Sequence, residues 1–519
     1  MERYVTSVLL FLMGFTATAQ RIATELVCDW QTLPPKSTYL SAAVTPLGAH
    51  RTLLTFRDSS SAARAYAHLA FRPQLVTVQY NYRVAFRRLP DDPLYGRQPN
   101  LARMGFPEAW EHTTGGTLVD GTPLVTAVLD SGFDTEHEDL RDNLWTNPTE
   151  VAGDGLDNDG NGYVDDLHGW NFADGLGEHP ADEHGTQVAG ILAGRGDNGL
   201  GIAGTNWQQQ LMVFTIRTVA DIVAAYDYVA DQRRRWQESG GQAGALVVAT
   251  NASFGLSRGR CSEDYPVWAA AYDELAELGI LTAVSVANQP DNVDQLGDMP
   301  ASCPSEAIVA VTNVGTDDRL HPAAAYGSVS VDLGAMGQGS YGTRPADRYG
   351  SFGSTSAAAP YVTGAIGLLY ATPCPALLRQ VRQQPRAAAA RIRQALLQTV
   401  RPNEDLTGVT VSGGTLDVAA AQQYLLTTCE EDAAVLRVQD VYPNPSGDRV
   451  WLLTNRYVLD GLHLEVVDVF GRVFSPAASP YVAFAGAGWE WSVRGWPAGV
   501  YYVRIRGEAS EYIKTLVVR

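Results

Sequence analysis

Positive charge is scarce in this sequence. Its 519 residues carry 38 Lys and Arg against 57 Asp and Glu, a formal net charge of −19. A nucleic-acid partner is excluded on that count, because phosphate binding needs clustered cations. The acidity reads as solubility. Cysteine is scarce too: there are five, at 28, 261, 303, 374 and 429, and no CxxC pair. A zinc cluster therefore finds no ligands at its usual spacing. Beyond the first residues there is no apolar run long enough for a transmembrane helix. Internal repeats and low-complexity tracts are absent as well. With 45% hydrophobic and 18% charged residues, the chain has the composition of a globular protein of two to four units.

What is present begins with an export signal. "MERYVTSVLLFLMGFTATAQ" has Arg3 near its start, an apolar core from Val5 to Ala17 and a small-residue site, Ala17-Thr18-Ala19. That pattern predicts a signal peptide over 1–19 and a mature terminus at Gln20. In an oxidising compartment cysteines pair. The expected pairs are Cys261 with Cys303 and Cys374 with Cys429, each within one region, leaving Cys28 over. Spacing leaves other connectivities open.

Residues 20–92 read as a small leading unit. "HRTLLTFRDS" is a strand, "SAARAYAHLA" a short helix and "LVTVQYNYRVAF" a second strand, closed by the polar "RRLPDDPLYG". From 93 to 430 short apolar runs alternate with helical stretches. "PLVTAVLD", "LMVFTI", "ALVVATNAS", "GILTAVSVAN" and "AIVAVTNV" are the strands; "ADIVAAYDYVADQ" and "PVWAAAYDELAEL" lie between them. Buried strands alternating with helices predict an α/β fold with a mostly parallel sheet. After the charged "EEDAAVLRVQDV", residues 435–519 become short alternating strands with Gly, Pro and Asn turns, the texture of a small β-sandwich.

In a parallel sheet of this kind, functional groups collect at the carboxyl ends of strands. Asp130 ends the apolar strand in "VTAVLDSG". Alone it reads as an ordinary strand-end acid. His184 opens the helix of "DEHGTQVAGILAG", where an isolated histidine is more often structural. Together they make a carboxylate that can hold an imidazole in one tautomer. "GSTSAAAPYVTG" places Ser356 at a helix N-terminus, where unpaired N–H groups and the positive dipole end suit an oxyanion. A serine-rich helix cap is its plain alternative. In "TNASFGL" a strand edge ends in Gly255 and can pair with an added peptide. Asn288, in "VSVANQ", follows a buried strand and can donate its amide to an oxyanion.

At these residues the chain resembles the subtilisin-like serine proteases, the subtilase family. "AVLDSG", "HGTQVAG", "NASFG" and "STSAAAPYVTG" match its aspartate, histidine, substrate-strand and serine motifs, in the family's order. The resemblance covers about 93–425 and implies a subtilisin-like three-layer fold and a serine endopeptidase. Its catalytic residues would be Asp130, His184 and Ser356, with Asn288 in the oxyanion hole. Ser253, Phe254, Gly255, Ser285, Val286 and Ala287 would bind substrate. The serine four before the proline is the family's nucleophile, which selects Ser356 over Ser354. The chain departs from the family at Gln187, at Ser354 and Ala287 where Gly is usual, and at Ala357 where Met is usual. Ala287 tightens the pocket beside 285–287. The leading unit resembles the family's propeptide. The trailing unit, through "VYPNPSGDRV", "VDVFGRV", "PAGVYYVRI" and "KTLVVR", resembles the type IX secretion sorting domain. A monomer is expected, acting on proteins or peptides and handled by the type IX machinery. It would reach the exterior through periplasm and outer membrane. A non-catalytic binding protein and an esterase are the rival readings; the intact constellation argues against the first, and the lack of GxSxG around Ser356 against the second.

One loop points to a metal. In "DGLDNDGNGYVDD", Asp157, Asp159 and Asn161 alternate, Gly162 permits a turn and Tyr163 offers a carbonyl, as at the start of an EF-hand loop. His168 stands where the twelfth-position Glu belongs, so Asp165 or Asp166 would serve instead. So many oxygen ligands repel one another without a cation, which favours Ca²⁺ over a plain surface loop.

Overall fold

The strands Val125–Asp130, Val247–Ala252 and Ile308–Asn313 are buried at every position. Strands need apolar residues on both faces only when both faces of the sheet are covered. Alternate residues here enter two separate cores. Leu281, Ala283, Val309 and Val311 pack with the helix Thr355–Tyr370 on one side. Val284, Ile308 and Ala310 pack with the helices Val219–Glu238 and Pro266–Glu277 on the other.

The computed structural model describes residues 20–31, 42–69, 72, 74–83, 89–433, 438, 441, 443–454, 462–474, 476–483, 486–506 and 511–519. The expected signal peptide, 1–19, lies outside them. Two compact units divide the chain, Met1–Arg88 and Leu89–Arg519. In the first, β1 (Gln20–Trp30), β2 (Ala43–Pro46), β3 (Arg51–Thr55) and β4 (Leu75–Arg83) form an antiparallel sheet in the order β2-β3-β1-β4. The helix Ser59–Leu69 packs on it through Ala62, Ala65 and Leu69. β3, the helix and β4 stand where the sequence predicts them, and β1 and β2 are additional to that expectation. Yet Leu26, Cys28 and Trp30 alternate inward along β1, and it is the strand between β3 and β4.

The second unit opens before the expected boundary at 92/93. The buried Asp92 accepts from the N–H groups of Asp197 and Asn198, and Leu94 donates to the Gly201 carbonyl. Its main strands are β5 (Val125–Asp130), β6 (Gly169–Asn171), β7 (Gln210–Thr215), β8 (Val247–Ala252), β9 (Leu256–Ser257), β10 (Leu281–Ser285), β11 (Asp298–Met299), β12 (Ile308–Asn313), β13 (Leu333–Ala335), β14 (Ser340–Arg344), β15 (Arg348–Phe352), β16 (Arg401–Pro402) and β17 (Gly414–Thr415). Nine of them form one sheet in the order β16-β17-β13-β12-β10-β8-β5-β7-β6. Every neighbour pair is parallel except β16 with β17. From β5 the chain runs out to the edge strand β6, comes back to β7 beside β5, and then crosses β5 to β8. The order therefore reverses between β5 and β8, where a crevice opens at the carboxyl ends. Asp130 ends β5 and Ser253 follows β8. Disulfides join Cys261 to Cys303 and Cys374 to Cys429, as expected, while Cys28 stays free and buried.

After the helix Val418–Ala433 the strand-rich region follows. It holds a three-stranded sheet, with strands at 449–453, 486–492 and 479–483, and a four-stranded sheet, with strands at 473–474, 463–468, 499–506 and 511–518. Val450, Leu452 and Trp491 of the first meet Val466, Val503, Ile505 and Leu516 of the second in one core, the sandwich arrangement expected.

Candidate active site

His184 is fixed from two sides. Asp182 caps the helix Glu183–Ala193, accepting from the His184 N–H at 2.9 Å. Gly185 lies where any Cβ would strike the Gly132 carbonyl, so the helix sits against the turn after β5. That contact brings Nδ1 of His184 to 2.7 Å from Oδ1 of Asp130. Asp130 is 5% exposed, and the same Oδ1 accepts from the N–H and hydroxyl of Ser131. The Ser131 hydroxyl also reaches Oδ1 of Asp182 at 2.7 Å, tying the two segments together. Burial pulls the imidazole pKa down, but the hydrogen bond and charge of Asp130, with the charge of Asp182, outweigh it and leave the pKa raised. The imidazole edge meets the ring of Phe352, centroids 5.6 Å apart, on the strand leading to the serine.

Ser356 is the second residue of the helix Thr355–Tyr370, which is buried throughout. A proline inside its second turn has a specific consequence. Pro360 lacks the N–H that would bond the Ser356 carbonyl. The Ser253 hydroxyl donates to that carbonyl instead, at 2.9 Å. Ser253 is held in turn by the Asn251 amide, 2.9 Å, and Asn251 accepts from the Thr363 hydroxyl, 2.8 Å. Asn251 and Thr363 escaped the sequence reading; the proline signals that a carbonyl needs another donor but does not say which. The Ser356 hydroxyl donates to the Ser253 carbonyl at 3.3 Å, and no hydrogen bond joins it to the imidazole. Loose nucleophile–base contacts are common before substrate binds. Ser354 has φ of 72°, a region that favours glycine, which accounts for the residue usual at that position.

Oδ1 of Asn288 accepts from the Thr355 N–H, 3.1 Å, and the Thr355 hydroxyl, 2.9 Å. A backbone N–H can only donate, so the oxygen must face it and the amide nitrogen turns away. That nitrogen has no partner among the described residues. Ser253, Phe254 and Gly255 line a cavity of about 310 Å³ together with Asp130 and His184. Its far wall is apolar, from Ile216, Val219, Ile222 and Trp268. Ser285, Val286 and Ala287 continue from β10 to Asn288 and do not line this cavity.

In the acidic loop the structure brings two of the acids read off the sequence beside a third that was not. Carboxylate oxygens of Asp157, Asp159 and Glu150 lie within 4.8 Å of one another. Oε1 of Glu150 accepts from the N–H groups of Asn158 and Asp159, and Oε2 is buried without a partner among the described residues. That orphaned oxygen fits a cation. Asp165 is occupied by the N–H groups of Gly153 and Gly155. Asp166 accepts from Asn147, Asn161 and the Tyr228 hydroxyl, and the Asn161 oxygen accepts from the Tyr163 N–H. Glu150 precedes the Asp-rich stretch, outside any EF-hand window, so spacing could not find it.

Residues 121–424 match the sequence signature of the Subtilase family, and residues 440–519 that of the secretion system C-terminal sorting domain. The chain is 30% identical to Subtilisin-like protease 1 of Plasmodium vivax over 261 residues, 45% of this chain and 38% of that protein. It is 26% identical to the Major intracellular serine protease of Bacillus subtilis (strain 168) over 263 residues, 51% of this chain and 72% of that protein. To Thermitase of Thermoactinomyces vulgaris it is 26% identical over 295 residues, 54% and 85% of the two chains. The matched stretch spans well under half the length of the Plasmodium relatives.

Proposed function

Because this chain belongs to the subtilase family, we propose that it is a serine endopeptidase cutting proteins or peptides outside the cell. Its sorting domain marks it for type IX secretion to the cell surface or the extracellular space. The observation that carries the activity is the 2.7 Å contact of Asp130 with His184, with Ser356 in the first turn of the helix Thr355–Tyr370. In the proposed reaction the Ser356 oxygen attacks the peptide carbonyl while Nε2 of His184 takes its proton. Asp130 keeps the imidazole in the required tautomer and stabilises the imidazolium. The oxyanion is received by the Asn288 amide, which Thr355 orients, and by the Ser356 N–H at the helix terminus. The imidazolium then protonates the leaving amine, and water repeats the sequence on the acyl-enzyme. The substrate would pair as an extended strand along Ser253–Gly255, with one side chain in the apolar cavity.

Two further readings accompany this one. The unit at 20–88 would be an inhibitory propeptide removed on maturation, with the cut ahead of Asp92, whose carboxylate holds the Asp197 and Asn198 amides. Glu150, Asp157 and Asp159 would hold a structural Ca²⁺, which neutralises their mutual repulsion and takes no part in proton transfer. The test of the activity is to map cleavage of a peptide mixture. Wild type should cut and Ser356→Ala should not. Full activity in Ser356→Ala, with loss in Ser354→Ala, would refute the assignment.

A further inference from the structure

We infer that Asp298 sets the substrate preference of this peptidase, selecting lysine or arginine as the residue on the amino side of the bond that is cut. The inference rests on the peptidase reading above and deepens it.

Its position comes first. β11, which begins at Asp298, pairs antiparallel with β9, Asp298 facing Ser257 and Met299 facing Leu256. β9 starts immediately after Ser253–Gly255, one of the two segments assigned to substrate. Gly255 itself lies against this strand: a Cβ there would stand 2.6 Å from the Met299 carbonyl. In the other direction, the Asp298 carboxylate accepts from the Ala287 N–H at 2.7 Å. Ala287 closes the second substrate segment and directly precedes Asn288. Asp298 thus joins both segments at their base, one residue away from the proposed oxyanion donor.

Its chemistry comes next. Asp298 is 2% exposed, and no ion pair reaches it among the described residues. The charged group acting on it is Asp291, which is itself paired with Arg258, Nε 3.1 Å from its carboxylate. The Ser302 hydroxyl serves the Asp298 backbone, bonding its N–H and its carbonyl. Among the described residues one backbone N–H is therefore the only donor to a buried carboxylate, where buried charges ordinarily have a counter-ion. Burial, reinforced by Asp291, pushes its pKa up to about 7. Its neighbours on the two substrate segments are a glycine and an alanine, Gly255 and Ala287, and a slot opened between such small residues would admit an unbranched methylene chain more readily than an aromatic ring. A lysine or arginine stem would fill it and bring the missing cation to the carboxylate.

A sign follows for pH. In the free enzyme below about pH 7 the carboxyl holds a proton, which a cationic side chain must displace on binding. KM for a lysine or arginine substrate should fall as pH rises through 7, while KM for a leucine substrate should not follow it.

The experiment uses the mature enzyme and a series of peptides that differ only in the residue before the cut: Lys, Arg, Leu, Phe and Glu. The expected result is kcat/KM for Lys and Arg above Leu and Phe by roughly thirtyfold or more. Asp298→Asn keeps an acceptor for the Ala287 N–H and removes the charge, so it should erase that preference and the pH dependence of KM, bringing kcat/KM for Lys and Arg down to the level of Leu. Equal rates across the series, or a preference for Leu or Phe, would overturn the inference and leave the peptidase standing. Cleavage of none of them, with no Ser356-dependent proteolysis of any protein, would instead remove the peptidase reading itself. If Asp298→Asn does not fold, the wild-type series alone decides.

Discussion

One carboxylate oxygen sets the working pH of the proposed site. Oδ1 of Asp130 holds the His184 imidazole at 2.7 Å, and Asp182, capping the same helix, adds a second negative charge. Burial opposes the imidazolium, and the two acids more than offset it, so the His184 pKa lies above its ordinary value. The base must be neutral to accept the serine proton. For a leucine peptide, kcat/KM should therefore rise with pH through a value above the usual ~6.5. Asp182→Asn keeps the helix cap and removes the charge, which should move that limb to lower pH. An unmoved limb would mean that Asp182 acts only as a cap. The same shift has a stability side: the histidine contribution is fully present below the unfolded pKa and is lost as pH rises through the raised one. The pair was legible in the sequence because a strand-end acid and a helix-start histidine each stand at a defined position. Thr355, Asn251 and Asp298 were not: Thr355 and Asn251 act on partners 67 and 112 positions away, Asn288 and Thr363, and Asp298 meets Ala287, 11 positions away, only once the chain has turned back.

At the scale of elements, the acidic loop between β5 and the His184 helix is the part that a cation should order. The parallel strands were readable from unbroken apolar runs, and β1 was not, because it begins directly where the expected export signal ends and only Leu26, Cys28 and Trp30 in its second half mark an inward face. In the loop the pattern of alternating Asp residues gave the location and two of the acids. The third, Glu150, is brought in by the fold, and Asp165 and Asp166 are taken up by backbone and Tyr228 donors. Binding to the folded state alone adds about 2.7 kcal/mol when free calcium is a hundredfold above Kd. Chelator should lower Tm and hasten autolysis, with initial turnover in the cold nearly unchanged. Glu150→Gln with Asp157→Ala should abolish the calcium-dependent shift in Tm. A shift that persists in this variant would locate the stabilising ion elsewhere.

For the whole molecule, export and catalysis should be separable. The helix Val418–Ala433 closes onto the peptidase core through Val418, Ala421 and Leu425, whereas the strand-rich region has a core of its own. A chain ending after Ala433 should fold and cut peptides at the wild-type rate yet fail to reach the outside of the cell that makes it. Loss of activity in the folded, shortened chain would give the sandwich a part in substrate binding. The proposed reaction turns on which atom attacks the peptide bond. The direct measurement is to treat the mature enzyme with a fluorophosphonate, which reacts with an activated serine, and to locate the adduct by peptide mass spectrometry. One adduct is expected, on Ser356, formed at a rate that collapses in His184→Ala. An adduct on Ser354, or an enzyme that goes on cutting peptides with Ser356 unmodified, would contradict it.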